Sequence, residues 1–119
     1  MSSHEKINYI ELPADNLELM KVFFSRVFSF EFTDYGPDYC AFTAKSAGLE
    51  GGFFKAPLSS DSKTGAALII FFSEDLEATE KKIASAGGKI VKAIFDFPGG
   101  RRFHFSDPCG NEWAVWSDS

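Results

Sequence analysis

The sequence lacks the charge pattern of a nucleic-acid-binding protein. Its 119 residues hold 12 Lys and Arg against 17 Asp and Glu, which gives a net charge of −5. Proteins that bind nucleic acid need clustered basic residues to contact the phosphates, and this acidic chain has no long basic run. We therefore expect no nucleic acid among its partners.

Cysteines and long apolar runs are equally scarce. Cys40 and Cys109 are too few for a disulfide scaffold, and their spacing matches no zinc-ligand pair. Cys109 occupies the variable position of a turn, where we expect it to be exposed. The longest apolar run, Ala66 to Phe72, has the length of a strand, whereas a membrane span needs ~20 apolar residues. With a polar N-terminus as well, the sequence predicts a soluble cytoplasmic protein that does not associate with membranes.

Phenylalanine, in contrast, is abundant. The chain contains 14 Phe, and aromatic residues make up 16% of it. Its length is that of one domain, and a domain of this size must find room for many rings. We expect the core to take most of them, and an aromatic-lined cavity or a buried interface to take the rest.

The predicted elements occur in the same order in both halves of the chain. Apolar spacing and turn residues predict a strand, a helix and three further strands in each half. In the first half these are Ile7 to Leu12, a helix over about 16–28 capped by Asp15 or Asn16, Phe30 to Tyr35, Tyr39 to Ala44 and Leu49 to Lys55. In the second half they are Ala66 to Phe72, a helix from Asp75 to Gly87, Lys89 to Phe97, Arg102 to Ser106 and Glu112 to Trp116.

This repetition predicts an internal duplication. Superimposing the halves aligns Asn16-Leu17-Glu18 with Asp75-Leu76-Glu77. One half alone cannot cover both faces of its sheet, so the two must pack together. The prediction is an α+β fold of one domain, residues 1–119, with two βαβββ modules over about 7–55 and about 65–117.

The end of the chain carries the most specific motif. An aromatic strand beginning at Arg102 leads into Asp107-Pro108-Cys109-Gly110-Asn111 and then into a last strand. At the end of a duplicated βαβββ chain, this segment resembles the last hairpin of proteins in the vicinal oxygen chelate superfamily. That superfamily includes glyoxalase I, extradiol dioxygenases and bleomycin resistance proteins. The resemblance extends from Ile7 to Trp116. It implies that each module curls a mixed sheet into a cup, with the helix on the outer face.

The resemblance also identifies where a metal would be held. Enzymes of the superfamily take ligands from the first and last strands of each module. The matching positions here are Tyr9, Leu68, Ala114 and a fourth near Gly52 or Phe53. Leu and Ala have no donor atom, and a protonated phenol is a poor ligand. We therefore expect no metal and no other cofactor, and the sequence leaves open whether the protein is an enzyme.

The resemblance assigns a set of residues to the cups as a ligand site. They are Tyr9, Glu11, Leu68, Ile70, Phe72, Arg102, His104, Ala114 and Trp116. Arg102 offers a planar fork for a carboxylate or phosphate, and His104 adds a donor or a proton acceptor. Trp116 can stack on a flat ligand or lie in an interface. In the simpler alternative, Glu11 pairs with Arg102 or a lysine.

Beside a purely structural or regulatory role toward a partner, three functions remain open from the sequence. The first is a metal-free protein that binds a small anionic or aromatic molecule in a cup at or near a dimer interface. The second is a lyase, isomerase or dioxygenase with a displaced metal site of Glu11, His104 and Glu112. The third is an acid–base enzyme in which His104 or Glu11 moves a proton while Arg102 holds an anionic substrate.

The composition of the cups predicts a homodimer. Their surface carries Tyr9, Ile70, Phe72 and Trp116, which form too apolar a patch to face water. Related single-domain proteins close their cups by two-fold dimerisation, sometimes with modules of different chains around one site. We expect the same closure here.

Overall fold

The computed structural model describes residues 4–119, so residues 1–3 of the predicted domain lie outside it. It confirms the α+β fold with two modules. The first contains β1 (Tyr9–Ala14), α1 (Leu17–Phe28), β2 (Phe32–Asp34), β3 (Tyr39–Phe42), the one-turn helix α2 (Ala44–Ala47) and β4 (Glu50–Lys55). The second contains β5 (Ile69–Phe72), α3 (Leu76–Ser85), β6 (Lys89–Phe97), β7 (Gly100–Ser106) and β8 (Glu112–Ser117). None of the described helices is long and apolar enough to cross a membrane.

Each module forms its own four-stranded mixed sheet. The strand orders are β1-β4-β3-β2 and β5-β8-β7-β6. The first strand of each module runs parallel to the last, and the remaining pairs are antiparallel. Strands β1 and β5 therefore lie at sheet edges, with one side of each free of backbone pairing within the described chain.

Capping residues fix both ends of helix α1. The Asn16 side chain caps it by accepting a hydrogen bond from the Leu19 amide, so Asn16 rather than Asp15 is the cap. Apolar residues recur on one face of the helix and are buried: Met20, Phe23, Phe24 and Val27. At the C-terminus, Ser29 adopts a left-handed conformation with φ of 58°, and its amide donates to carbonyls of the last turn.

Helix α1 packs between the two sheets. The Phe24 ring lies 5.4 Å from Phe53 of β4 and 5.0 Å from Trp113 of β8. Phe28 stacks on Phe71 of β5 at 3.9 Å. Because one helix contacts both sheets, a single hydrophobic core joins the modules, and most of the Phe residues lie in it.

Strand alternation leaves each sheet with a second face that the helices do not cover. On the second sheet, four side chains point into the core: Phe103, Phe105, Trp113 and Val115. Their neighbours along the strands point the opposite way. We call this opposite surface the helix-free face of each sheet.

Three local predictions need correction. Strand β1 continues past its predicted end at Leu12 and includes Pro13, because an edge strand tolerates a residue without an amide hydrogen. Leu68 precedes β5 and is not part of it. Helix α2 falls where the sequence predicts the end of a strand, and the Thr43 side chain caps it by accepting a hydrogen bond from the Ser46 amide.

The turn over residues 107–111, between β7 and β8, which we call the closing turn, is stabilised by the buried carboxylate of Asp107. One carboxylate oxygen accepts the amides of Cys109 and Asn111, at 2.9 and 3.1 Å. The other oxygen accepts the indole N–H of Trp113 at 2.8 Å. Cys109 is buried, contrary to the prediction, because the turn packs against the start of α1 and the thiol lies 3.5 Å from the Asn16 carbonyl. Burial raises the pKa of the Cys109 thiol to about 11.

Candidate functional site

The helix-free face of the second sheet collects most of the predicted ligand-binding residues. The strand registers place Phe72 beside Trp116 and Trp116 beside Arg102. One step along the strands, Ile70 lies beside Ala114 and Ala114 beside His104. Two adjacent rows across three strands therefore carry six predicted residues on one surface.

An apolar recess lies at the Trp116 end of this face. It has a volume of about 380 Å³ and is lined by Ile70, Phe97, Pro98, Gly99, Arg102 and Trp116. The rings of Phe72 and Phe97 meet Trp116 edge-on at 5.2 and 6.2 Å. The sequence placed Phe97 on a strand but gave no sign that it faces the site, because register shifts within β6 obscure the alternation.

Arg102 lies beside the recess with its charge over aromatic rings. Its guanidinium carbon is 5.4 Å from the Phe95 centroid and 5.7 Å from that of Phe97. Its Nε is buried and has no hydrogen-bond partner among the described residues. An unsatisfied buried donor costs about 1–3 kcal/mol, so a bound acceptor there would stabilise the protein.

His104 is buried and oriented by a carboxylate. Its Nδ1 lies 2.8 Å from Glu112 Oε2, while the other carboxylate oxygen accepts the amide and the hydroxyl of Ser62 at 3.0 and 2.5 Å. Burial alone raises the pKa of Glu112, but the hydrogen bonds from His104 and Ser62 outweigh it and lower the pKa to about 2. Glu112 is therefore ionised, which assigns the proton of that hydrogen bond to His104 Nδ1.

The second nitrogen of His104 has a different environment. Nε2 is buried and, like Arg102 Nε, lacks a hydrogen-bond partner within residues 4–119. A cavity of about 310 Å³ adjoins the pair, and its lining includes Lys63, Lys92, His104 and Glu112. Ser62, which donates to the Glu112 carboxylate, was not among the predicted site residues. It belongs to the segment between β4 and β5, which we call the linker, and not to a strand.

The helix-free face of the first sheet carries a separate polar cluster. The hydroxyls of Tyr9 and Tyr39 are 2.6 Å apart, and the Tyr39 hydroxyl donates to Glu11 Oε2 at 3.0 Å. Burial, followed by the bonds to Tyr9 and Glu11, raises the pKa of Tyr39 above its ordinary value, so the phenol keeps its proton. Since that proton is given to Glu11, Tyr9 must donate to Tyr39. Gly52 makes room, because a Cβ there would collide with the Tyr39 hydroxyl.

Two predicted arrangements involving Glu11 are wrong for a single chain. The expected pair of Glu11 with Arg102 or a lysine is replaced by the hydrogen bond from Tyr39. The proposed metal set is not assembled either: His104 and Glu112 meet, but the described residues contain no group of three His, Cys, Asp or Glu suited to a metal. Both failures have one cause, since the sheets share a core through their helix-covered faces and Glu11 lies on the other module.

The superfamily's usual metal positions do not fit a metal in this chain. Ala114 is fully buried and has no donor atom, and neither has Leu68. Tyr9 shares its hydroxyl with the neutral phenol Tyr39.

Comparison with known proteins gives a consistent result. A model of the Glyoxalase/Bleomycin resistance protein/Dioxygenase superfamily matches residues 6–115. A glyoxalase-related enzyme from Fulvimarina pelagi superimposes with a TM-score of 0.77 at 14% identity, covering 95% of this chain and 88% of that one. The genomically encoded fosfomycin resistance protein FosX from Listeria monocytogenes gives 0.76 at 18% identity, over 97% of this chain and 94% of that one. At these identities the likeness shows the fold alone.

A curated relative matches part of the chain at higher identity. The anthracycline biosynthesis protein DnrV of Streptomyces peucetius is 37% identical over 49 residues, which is 40% of this chain. The match spans only 18% of that protein's length.

Proposed function

Because the chain belongs to the glyoxalase/bleomycin resistance protein/dioxygenase superfamily, we propose that it binds a small anionic aromatic molecule on the helix-free face of the second sheet. The observation that carries the proposal is the buried Arg102 Nε–H, which has no acceptor among the described residues although it borders an aromatic recess. A ligand carboxylate would supply that acceptor, and a guanidinium is the side chain best suited to hold one.

The recess suits the apolar part of such a ligand. Ile70, Phe97 and Trp116 form its walls, and about 380 Å³ is enough for a molecule of one or two rings. Trp116 presents the largest ring to the ligand and would contact it edge-on or by offset stacking. The positive charge of Arg102 then fixes the orientation, with the anion toward β7 and the rings toward Trp116.

A homodimer is part of the proposed arrangement. Three large side chains on the helix-free faces are strongly exposed in the single chain: Tyr9 at 40%, Ile70 at 44% and Phe72 at 52%. All three belong to the edge strands β1 and β5, which are open to pairing with a second copy. Two-fold association through these edges would bury them and shield the ligand from water.

A fluorescence titration tests the ligand site. The probe is 1-naphthoate, an aromatic carboxylate, and Trp116 in the recess provides the signal. We expect saturable quenching in the wild-type protein, and Arg102→Gln should weaken binding at least tenfold because the charge-assisted hydrogen bond is lost. The matched control is Arg101→Gln, since Arg101 pairs with Glu77 outside the recess and its loss should leave the affinity unchanged.

Two results would contradict the proposal. One is the absence of saturable binding in the wild-type protein. The other is equal loss of affinity in Arg101→Gln and Arg102→Gln, which would indicate a general effect of charge and not a contact at Arg102.

A further inference from the structure

Two buried polar atoms on the helix-free face of the second sheet have opposite hydrogen-bonding needs. Arg102 Nε carries a hydrogen and can only donate. His104 Nδ1 holds the imidazole proton because its partner, Glu112, is an ionised carboxylate. In the neutral form of the ring, Nε2 presents a lone pair and can only accept. Neither atom has a partner within the described chain.

The side chains that carry these two atoms contact the same ring. The Phe95 centroid lies 5.9 Å from that of the His104 ring and 5.4 Å from the guanidinium carbon of Arg102. Arg102 and His104 are two residues apart on β7, so their Cα atoms are about 7 Å from each other on the same face. The two imidazole nitrogens lie on opposite sides of the ring. Since Nδ1 is turned toward Glu112, Nε2 faces away from that carboxylate.

We propose that the ligand of this site is a hydroxylated aromatic carboxylate, whose anionic group accepts from Arg102 and whose hydroxyl donates to His104 Nε2. This inference rests on the proposed function and specifies its ligand. A ring with the two groups in meta positions presents both on one side, so that each can face one of these two neighbouring side chains of β7. The aromatic body then occupies the recess beside Trp116.

The same polarity makes the site selective. A ligand without the hydroxyl satisfies Arg102 but leaves the His104 lone pair buried and unpaired. A ligand with an ether at that position brings a second acceptor against the lone pair and is disfavoured further. Sites with a buried polar group reject analogues that lack its partner more strongly than apolar pockets reject analogues of a different size.

Calorimetric titration of three probes tests this inference in the wild-type protein. The probes are 3-hydroxybenzoate, benzoate and 3-methoxybenzoate, which share the carboxylate and differ at the second position. We expect 3-hydroxybenzoate to bind at least about tenfold more tightly than either of the others.

A His104→Asn variant identifies the atom responsible. The Asn amide can still donate to Glu112, as Nδ1 does, but it leaves no acceptor at the place of Nε2. The advantage of 3-hydroxybenzoate should fall below about twofold, while benzoate binds as it does to the wild-type protein.

The outcomes separate this inference from the proposed function. Equal binding of the three probes, with benzoate binding still lost in Arg102→Gln, would overturn the hydroxyl contact and leave the anion site standing. Persistence of the advantage in His104→Asn would also overturn it. If none of the probes binds, both proposals are wrong.

Discussion

Glu112 shows how much a single side chain can organise in this protein. Its carboxylate joins three segments: it lies on β8, orients His104 of β7 and accepts two hydrogen bonds from Ser62 of the linker. The sequence indicated Glu112 only as a possible metal ligand. Its role as the group that sets the His104 tautomer depends on Ser62, which is 50 residues away along the chain.

The first prediction concerns the pH dependence of stability. Because the pKa of Glu112 is about 2 in the folded protein and near 4.5 when unperturbed, folding favours its ionised form. The contribution to the free energy of unfolding is present above pH 4.5 and is lost as the pH falls toward 2. Urea denaturation should therefore show wild type and Glu112→Gln converging as the pH falls. Glu74→Gln, at an exposed residue, controls for loss of charge, and a gap that stays constant with pH would contradict the assignment.

The second prediction concerns the substituted metal positions. With Leu68 and Ala114 where donors would be required, the protein should purify without a stoichiometric transition metal. A bound metal stabilises the folded state by mass action, so a chelator would lower the Tm of a metalloprotein. We expect the Tm to be the same with and without EDTA, with metal content checked by elemental analysis. A chelator-dependent fall of several degrees would show that a metal is held by other residues.

At the scale of elements, the closing turn shows that a motif can predict where a turn lies without predicting what its side chains contact. The Asp-Pro-x-Gly-Asn pattern located the turn, yet its side chains act on distant segments. Asn111 accepts the Ser60 amide at 2.7 Å and donates to the Pro13 carbonyl at 2.8 Å, which connects the closing turn to the linker and to β1. These partners are 51 and 98 residues away, and no local pattern reveals them.

The third prediction tests this tie between the modules. Asn111 is fully buried, so Asn111→Ala leaves the Ser60 amide and the Pro13 carbonyl without partners. We expect a loss of about 2–4 kcal/mol in the free energy of unfolding, measured by urea denaturation. Asn8→Ala is the control, since Asn8 is exposed and the same substitution there should change stability by less than about 0.5 kcal/mol. An equal loss in the two variants would mean that the hydrogen bonds of Asn111 contribute nothing to the free energy of unfolding.

Local chemistry explains which elements were predictable. A polar cap followed by an apolar stripe predicts helices α1 and α3. Both cap residues, Asn16 and Asp75, accept a hydrogen bond from a backbone amide of the first turn, as expected. Most strands follow from apolar alternation and turn residues. The predictions that were wrong depend on contacts between elements. Pro13 is tolerated in β1 because this strand lies at a sheet edge, and the hydrogen bond from Tyr39 to Glu11 needs the space left by Gly52.

At the scale of the whole molecule, the shared core decides where ligands can be held. The sheets pack through their helix-covered faces, so one chain presents two separate helix-free faces and not one enclosed cup. The donor atoms of Arg102 lie on one face and the carboxylate of Glu11 on the other. The predicted site residues therefore meet only when they belong to the same module. Strand periodicity indicates which residues share a face of one sheet, but it does not indicate how the two sheets pack.

The fourth prediction tests dimer formation through the edge strands. Phe72 lies on the open edge β5 and is 52% exposed, so a charge there should block the association of two copies. Light scattering at micromolar concentration should give about twice 13.2 kDa for the wild-type protein and the monomer mass for Phe72→Lys. Val22→Lys, at a residue 56% exposed on α1, should remain dimeric. A wild-type monomer, or a dimer that survives Phe72→Lys, would contradict the proposed interface.

The chemical shift of the Arg102 Nε–H group tests most directly whether Arg102 binds the anion of an aromatic ligand. In a ¹H–¹⁵N correlation spectrum the Nε–H groups of Arg101 and Arg102 give separate signals. Arg101 Nε already donates to the Ser119 carbonyl at 3.1 Å, whereas Arg102 Nε has no acceptor in the described chain. On titration with 1-naphthoate, the Arg102 Nε–H signal should move downfield and saturate, while the Arg101 signal stays in place. A saturating shift that leaves Arg102 Nε–H unchanged would contradict the claim.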